Sequence, residues 1–283
     1  MLIIDHNSLI EKAHELAPFP ASIVRLAQII VNPECNLADV AEVIAYDQAL
    51  TLKLLRAANS AAEGSATRVT SVKEAISRLG TSRVMSTAVA SGVRPHLQKA
   101  VPAYGLDEGA LWKHSVTAAV AAETVPKYCA IEAPPEAFTA ALLHDVGKTV
   151  MGRFLSPEIL RYISFARAVD HLSQMEAEMQ VLGVHHGELG GLIAQHWKLP
   201  PRVVQGILYH HNPEQGLDTV CDYTYLSNEI AHQITSSHGG ETYDDVFLFD
   251  VAKRLGINAA QLAKLRAITQ ARVAEVSQRY NAV

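Results

Sequence analysis

The sequence is poor in several features whose scarcity narrows its reading. Its 283 residues include only three cysteines, Cys35, Cys129 and Cys221. They are odd in number and far apart, with no Cys-x-x-Cys or zinc-finger spacing, so neither a disulfide framework nor a thiolate metal site is expected. That usage fits a reducing, intracellular setting. No segment approaches the roughly 18 uninterrupted apolar residues of a membrane span. The start, Met1-Leu-Ile-Ile-Asp-His6, lacks the basic residues and long apolar run of a signal peptide. A cytoplasmic location without membrane attachment is therefore expected. Positive charge is also in deficit: 24 Lys and Arg against 29 Asp and Glu give a net charge of −5. Phosphate backbones are bound by excess cations, so direct nucleic-acid binding is not expected. Glycine-rich phosphate loops, alternating strand patterns, fixed-period repeats and low-complexity tracts are all missing.

What is present is apolar sequence at helical spacing. Hydrophobic residues make up 49% of the chain and charged residues 19%, enough apolar material for a large core. Over 20–31, Ile23, Leu26, Ala27 and Ile30 share one face, with Pro20 suited to a first turn. Segments 37–46 and 48–58 repeat the pattern; in the second, Leu50, Leu54 and Ala57 form a stripe that Leu52, Leu55 and Ala58 widen. Ser60 to Thr70 reads as a loop. Ser71-Val-Lys-Glu74 has the form of a capping box opening a new helix, and Gly80 marks a break between two helices. Two prolines and a glycine make 95–106 the best candidate boundary. Helical patterns resume over 107–127, 135–154, 157–168, 171–183, 187–197, 201–210, 219–235, 245–254 and 258–279. The fold class expected is all-α, in two subdomains.

The chemistry concentrates in the second half, where eight of the thirteen histidines lie between residues 114 and 211. The strongest local signal is Leu142-Leu143-His144-Asp145-Val146-Gly147-Lys148. An imidazole and a carboxylate side by side near a helix end can turn to one ion, and a carboxylate can bridge two through its two oxygens. Nitrogen and oxygen donors suit Zn, Fe, Mn or Ni. The competing reading is a plain helix C-terminus, with His near the negative dipole end, Gly147 as a stop and Lys148 in solvent.

His114 sits in an apolar helix and, alone, reads equally as a core histidine. Val184-His185-His186-Gly187-Glu188 supplies another candidate. Adjacent helical positions point about 100° apart, so one histidine of the pair faces inward, and Gly187, Gly190 and Gly191 permit close backbone approach. Tyr209-His210-His211-Asn212 ends a helical pattern; its rival reading is surface decoration. Four such elements in order, each near a helix end with apolar neighbours, favour one shared metal site over four accidents. Trp112 and Trp197 read as packing residues, His196 as structural, His171 as a cap neighbour and Arg153 as a surface ion-pair former.

On these residues the chain resembles the HD superfamily of metal-dependent phosphohydrolases, and more closely the HDOD (HD-related output domain) family. The resemblance spans roughly 14–235. It includes Leu16-Ala-Pro-Phe-Pro20, the run Asp47 to Ser60, Val72 to Gly80, and the stretch from His186 through Trp197-Lys-Leu-Pro200 to His210-His211. It implies an all-α fold with an N-terminal helical subdomain, taken as 1–100, and an HD-like helical core, taken as 101–283. It also implies a bacterial signalling or regulatory role with a protein partner.

By similarity to the related HD-GYP phosphodiesterases, His114, His144, Asp145, His186, His210 and His211 fall on ligand positions for one or two divalent transition metal ions. Asp145 and Lys148 fall on positions implicated in phosphoester chemistry, Lys148 toward a substrate phosphate. The alternative function implied is thus hydrolysis of a phosphomonoester or nucleotide. Three departures stand out. The last HD aspartate appears as Asn228, kept as a candidate ligand because its amide oxygen can coordinate, although it brings no charge, and an acidic ligand expected four residues before His114 is Ala110. After His211 the chain reads Asn-Pro-Glu-Gln-Gly-Leu instead of the Asp-Gly-x-Gly-Tyr-Pro loop of cyclic-di-GMP hydrolases, which disfavours that activity.

Overall fold

The structure is a computed structural model. It describes residues 11–281 except 12, 14, 18, 33, 60–67 and 236–244. Most of the Ser60 to Thr70 loop expected from the sequence therefore lies outside the described residues. So do Pro18 and Ser60 of the family-like segments.

The described chain is helical, with no strand beyond an isolated bridge between Val101 and Leu106. The N-terminal helices are α1 (Ala21–Ile30), α2 (Leu37–Ala45), α3 (Gln48–Ala58), α4 (Val72–Leu79) and α5 (Thr81–Leu97). A 3-10 turn, Pro102–Tyr104, leads to α6 (Ala110–Thr124). Then follow α7 (Ala137–Leu143), α8 (Lys148–Met151), α9 (Pro157–Val169), α10 (Gln174–Leu182), α11 (His186–His196) and α12 (Pro201–Leu208). The chain continues through α13 (Pro213–Gly216), α14 (Thr219–Thr235), α15 (Asp245–Arg254) and α16 (Ala259–Asn281).

Local chemistry sets these boundaries. Gly80 has φ +77°, a conformation costly for other residues, and it separates α4 from α5 as its position in the sequence suggests. Ser71 Oγ accepts from the Glu74 backbone N–H at 3.2 Å, but the Glu74 carboxylate reaches back to the N–H of Thr70, one residue short of a reciprocal box. In α3 the buried stripe is Leu50, Leu54 and Ala58, a strict i, i+4, i+8 row, while Leu52 is 56% exposed.

Two expected spans break differently. The 135–154 pattern is two helices separated by a turn at 144–147, so the His-Asp pair leaves the helix axis. Helix α5 runs through Pro95 to Leu97, placing the break a few residues later than the proline suggests.

One large hydrophobic cluster joins the two halves. It contains Phe19, Ile23, Leu26, Leu54 and Val84 from the first hundred residues and Leu142, Leu143, Ile193, Trp197 and Ile207 from beyond them. Phe19 stacks on Trp197 with ring centroids 4.8 Å apart. A second cluster gathers α14, α15 and α16 around Tyr223, Leu226, Val251 and Leu265. A third lies beneath α9 and α10. Helix α6 is the central strut: its buried small residues Ala118, Ala119, Ala121 and Ala122 let α7 and α14 pack closely on it. No described helix is long and apolar enough to cross a membrane.

Candidate metal centre

The His-Asp turn is held against the start of α11 by missing side chains. A Cβ on Gly147 would lie 1.9 Å from the His186 carbonyl oxygen and 2.7 Å from the Gly190 N. A Cβ on Gly190 would lie 2.8 Å from Ile207 Cγ2. Gly147 therefore does more than stop a helix: it lets the 144–147 turn meet α11 backbone to backbone, while Gly190 makes room for the Ile207 side chain of α12. The close approach expected from the glycines after His186 is realised at Gly190. His185 caps α11 by accepting from the Gly187 N–H at 3.1 Å, and its own N–H donates to Glu188 at 3.2 Å. This leaves His186 as the inward member of the pair, 0% exposed.

Six side chains on four segments converge as a result: His114 from α6, His144 and Asp145 from the turn after α7, His186 from α11, and His210 and His211 after α12. They form two donor groups, His114–His144–Asp145 and His186–His210–His211, each with ligand atoms within 4.8 Å of one another. Asp145 lies between them. Its Oδ2 faces His144 Nε2 at 3.4 Å and His114 Nε2 at 3.7 Å. Its Oδ1 faces His186 Nε2 at 3.5 Å and His210 Nε2 at 3.8 Å.

Hydrogen bonds on the far side of each ring fix which nitrogen points inward as a lone pair. His144 Nδ1 donates to the Ala141 carbonyl at 2.7 Å, and His210 Nδ1 to the Ile207 carbonyl at 2.7 Å. His186 Nδ1 donates to Glu178 Oε2 at 2.7 Å. Thr235 Oγ1 gives its proton to the Ala231 carbonyl and so accepts from His114 Nδ1 at 3.2 Å. In the neutral tautomer each of these four rings presents an unprotonated Nε2.

The electrostatics agree with neutral His114, His210 and His211 rings near a charged carboxylate. Burial, then neighbouring imidazoles, hold His114, His210 and His211 well below the ordinary histidine range. Burial pushes the Asp145 carboxyl up, but Lys148 and His144 together outweigh it and hold it well below the usual carboxylate range.

Lone pairs thus face lone pairs. Asp145 Oδ1 and His210 Nε2 are both buried without a hydrogen-bond partner. His114 Nε2 lies 3.2 Å from His144 Nε2 and 3.0 Å from Asn228 Oδ1. Turning the Asn228 amide over would place its otherwise unpartnered Nδ2 on His114, yet would leave the two imidazole lone pairs opposed. Lys148 donates to Asp145 Oδ2, and His211 Nε2 lies 2.8 Å from His186 Nε2, but the buried acceptors still outnumber these donors and call for an electropositive centre. By this test the donor set fits divalent transition metal ions.

Every residue singled out from the sequence as a ligand lies in this cluster, Asn228 included. Lys148 is also there, 6% exposed, but it donates to Asp145 Oδ2 at 2.9 Å rather than reaching solvent. Trp112 and Trp197 are core residues. His171 lies outside α10, whose cap is Ser173. Four residues went unnoticed in the sequence: Glu178, Tyr104, Thr235 and His232, whose ring lies 4.4 Å from that of His114. Thr235 and His232 had a local signal, lying on the helical face of Asn228 at i+7 and i+4.

The fold and this cluster define an all-helical protein with a buried His/Asp donor set between its helices. Residues 16–213 match the HDOD domain family, and the chain belongs to that family. It is 26% identical over 206 residues to an uncharacterized protein of Treponema pallidum (strain Nichols), a match covering 72% of this chain and 39% of that relative's length. Among solved structures it resembles a candidate phosphohydrolase of Shewanella amazonensis SB2B, with TM-score 0.69 and 26% identity, covering 96% of this chain and 97% of the other. It shares its fold with an HDOD domain protein of unknown function from Geobacter sulfurreducens, with TM-score 0.69 and 21% identity, covering 96% and 97% of the two chains.

Proposed function

We propose that this HDOD protein is a bacterial signalling or regulatory module that binds divalent transition metal, one or two ions, at the His/Asp cluster. The observation carrying this reading is Asp145, whose two buried oxygens face separate groups of inward Nε2 lone pairs. His114, His144 and Asp145 would hold one ion, with Asn228 able to add an amide oxygen. His186, His210 and His211 would hold the other, with Asp145 spanning the two. Such ions supply Lewis acidity toward phosphoryl oxygens and acidify water.

The regulatory reading is favoured over hydrolysis by the same centre's missing charge. Asn228 is neutral, Ala110 stands one turn before His114 where a carboxylate is absent, and Lys148 is engaged by Asp145. The identity of the ion is left open by the donors, since imidazole and carboxylate serve Fe, Zn, Mn and Ni alike. The regulatory role further implies a protein partner.

The alternative, a metal-dependent phosphohydrolase acting on a phosphomonoester or nucleotide, is supported by the 26% identity to the Shewanella protein. In that reading Asp145 organises the ions and Lys148 releases it to meet substrate phosphate charge. Metal-loaded protein assayed on a broad phosphoester panel separates the two. The regulatory reading predicts no turnover above a His144→Ala, Asp145→Ala control. Turnover that the double variant abolishes would establish the enzyme instead.

A further inference from the structure

The four inward-facing imidazoles are not equally supported from behind. His144 and His210 lean on backbone carbonyls and His114 on a threonine hydroxyl. His186 alone leans on a carboxylate. Glu178, at the fifth position of α10, is 0% exposed and lies eight residues before its partner. Its Oε2 accepts from both His186 Nδ1, at 2.7 Å, and the His186 backbone N–H, at 2.8 Å. Its Oε1 accepts from Tyr104 Oη and from Gln174 Nε2, each at 2.9 Å.

Four donors engage both oxygens, which leaves Glu178 committed to His186 and its neighbours and away from the ligand positions. A buried carboxylate in this position needs a reason. Each of its oxygens accepts two hydrogen bonds, which suits the carboxylate anion. Its placement is also specified by the chain. Ser173 and Glu176 cap α10 reciprocally, and Gly183, at φ +74°, ends it so that the chain reverses and delivers His186 onto Glu178. Tyr104 reaches in from the turn joining the N-terminal helices to α6, and its ring also lies under Lys148, whose Nζ is 5.7 Å from the ring centroid. Burial and the adjacent Glu178 hold the Tyr104 phenol well above its usual value, so it serves as a donor.

We infer that Glu178 is the positioning residue of this centre: it fixes the tautomer and orientation of the His186 ring, strengthens its Nε2 as an inward donor, and so makes His186–His210–His211 the tighter of the two ion-binding groups. A carboxylate behind a ligating histidine raises the ring's donor strength and locks its orientation, and loss of such a partner typically lowers metal affinity about 10- to 100-fold. The other group has no counterpart, and its Asn228 brings no charge. The two ions therefore fill in order, the His186 group first. This inference rests on the metal reading proposed above, and its test keeps the two apart.

The test uses the full chain and two readouts. The first is the His186 Nδ1–H proton resonance in metal-free protein. A strongly downfield signal is expected in the wild type and its loss in Glu178→Gln, with the circular dichroism of the variant unchanged. A signal that is absent from the wild type, or identical in the variant, overturns the hold of Glu178 on His186. The second is a zinc titration against a competing chelator. Two steps are expected, the tighter weakened about 10- to 100-fold in Glu178→Gln with the weaker unmoved. His114→Ala is expected to remove the weaker step alone. Equal weakening of both steps, or of neither, overturns the filling order while leaving metal binding intact. A wild type that binds no zinc overturns the metal reading and the filling order together, and the proton resonance still decides the role of Glu178.

Discussion

At the scale of single residues, Asp145 carries the greatest consequence. Each of its oxygens faces a different histidine group, so its removal touches both, whereas removal of His114 touches one. Asp145→Ala is predicted to abolish binding at both groups in a chelator-competition titration; retention of either at wild-type affinity would refute the bridging arrangement. Asn228 offers the opposite experiment. Its Oδ1 already lies 3.0 Å from His114 Nε2, so Asn228→Asp adds an anion where only a dipole stands. It is expected to tighten the His114–His144–Asp145 group by about tenfold or more, equivalent to ~1.4 kcal/mol; unchanged affinity would show that the amide lies outside the coordination sphere.

The pH dependence follows from the same side chains. His114, His210 and His211 are depressed in the folded state, and His185 is brought down to about 4 by burial and then by His186. Below the unfolded histidine value of about 6.5 the unfolded chain binds protons that the fold refuses. Stability is therefore unaffected by these groups well above that value and falls as pH drops through it. Urea melts of metal-free protein at pH 7.5, 6.5 and 5.5 are expected to show a midpoint that falls slightly between the first two, where the unfolded histidines become half protonated, and more steeply to the third. A midpoint that holds or rises toward pH 5.5 would contradict the depressed histidines.

At the scale of elements, the turn between α7 and α8 is the decisive piece. Gly147 permits a backbone approach that no side chain could share. Gly147→Ala is predicted to destabilise by about 3 kcal/mol or more, because the obstruction is backbone and cannot rotate away. Denaturant unfolding measures it, and a loss under 1 kcal/mol would mean the turn is looser than described.

The same turn shows how far the sequence could be read. The apolar run before His144 and the Gly-Lys after it predicted a helix ending in a donor pair, and the pair is there. The periodicity of 135–154 also predicted helical continuity, and this failed because Val146, Val150 and Met151 keep a helical spacing across a turn that departs from the axis. Gly80 and the stripes of α1 and α3 were legible because local backbone chemistry and helical spacing decide them. Glu178 was not, because a glutamate in the middle of an amphipathic helix reads as solvent-facing until the partner it meets is known. Its pairing with His186 depends on the reversal at Gly183, a tertiary fact.

At the scale of the whole molecule, the helices that carry the His/Asp cluster and the N-terminal helices share one core. The 1–100 and 101–283 division drawn from the sequence falls between α5 and the Pro102–Tyr104 turn, and the main hydrophobic cluster crosses it. Trp197, 2% exposed, closes α11 and stacks on Phe19 from the N-terminal segment. Trp197→Ala is expected to cost about 3–5 kcal/mol, as large core truncations do. Unfolding followed by helicity and by a probe in the N-terminal half is expected to stay coincident. Two separated transitions in the wild type would show that the halves are energetically independent.

The measurement that bears most directly on the central claim is the metal content of the intact protein. The protein is loaded with a divalent transition metal, freed of excess by exhaustive dialysis, and analysed for metal per chain alongside the His144→Ala, Asp145→Ala variant. The buried, inward-facing lone pairs of the His/Asp cluster predict at least one equivalent retained by the wild type and loss of that metal in the variant. Less than one equivalent in the wild type, or equal retention by the variant, would contradict the account.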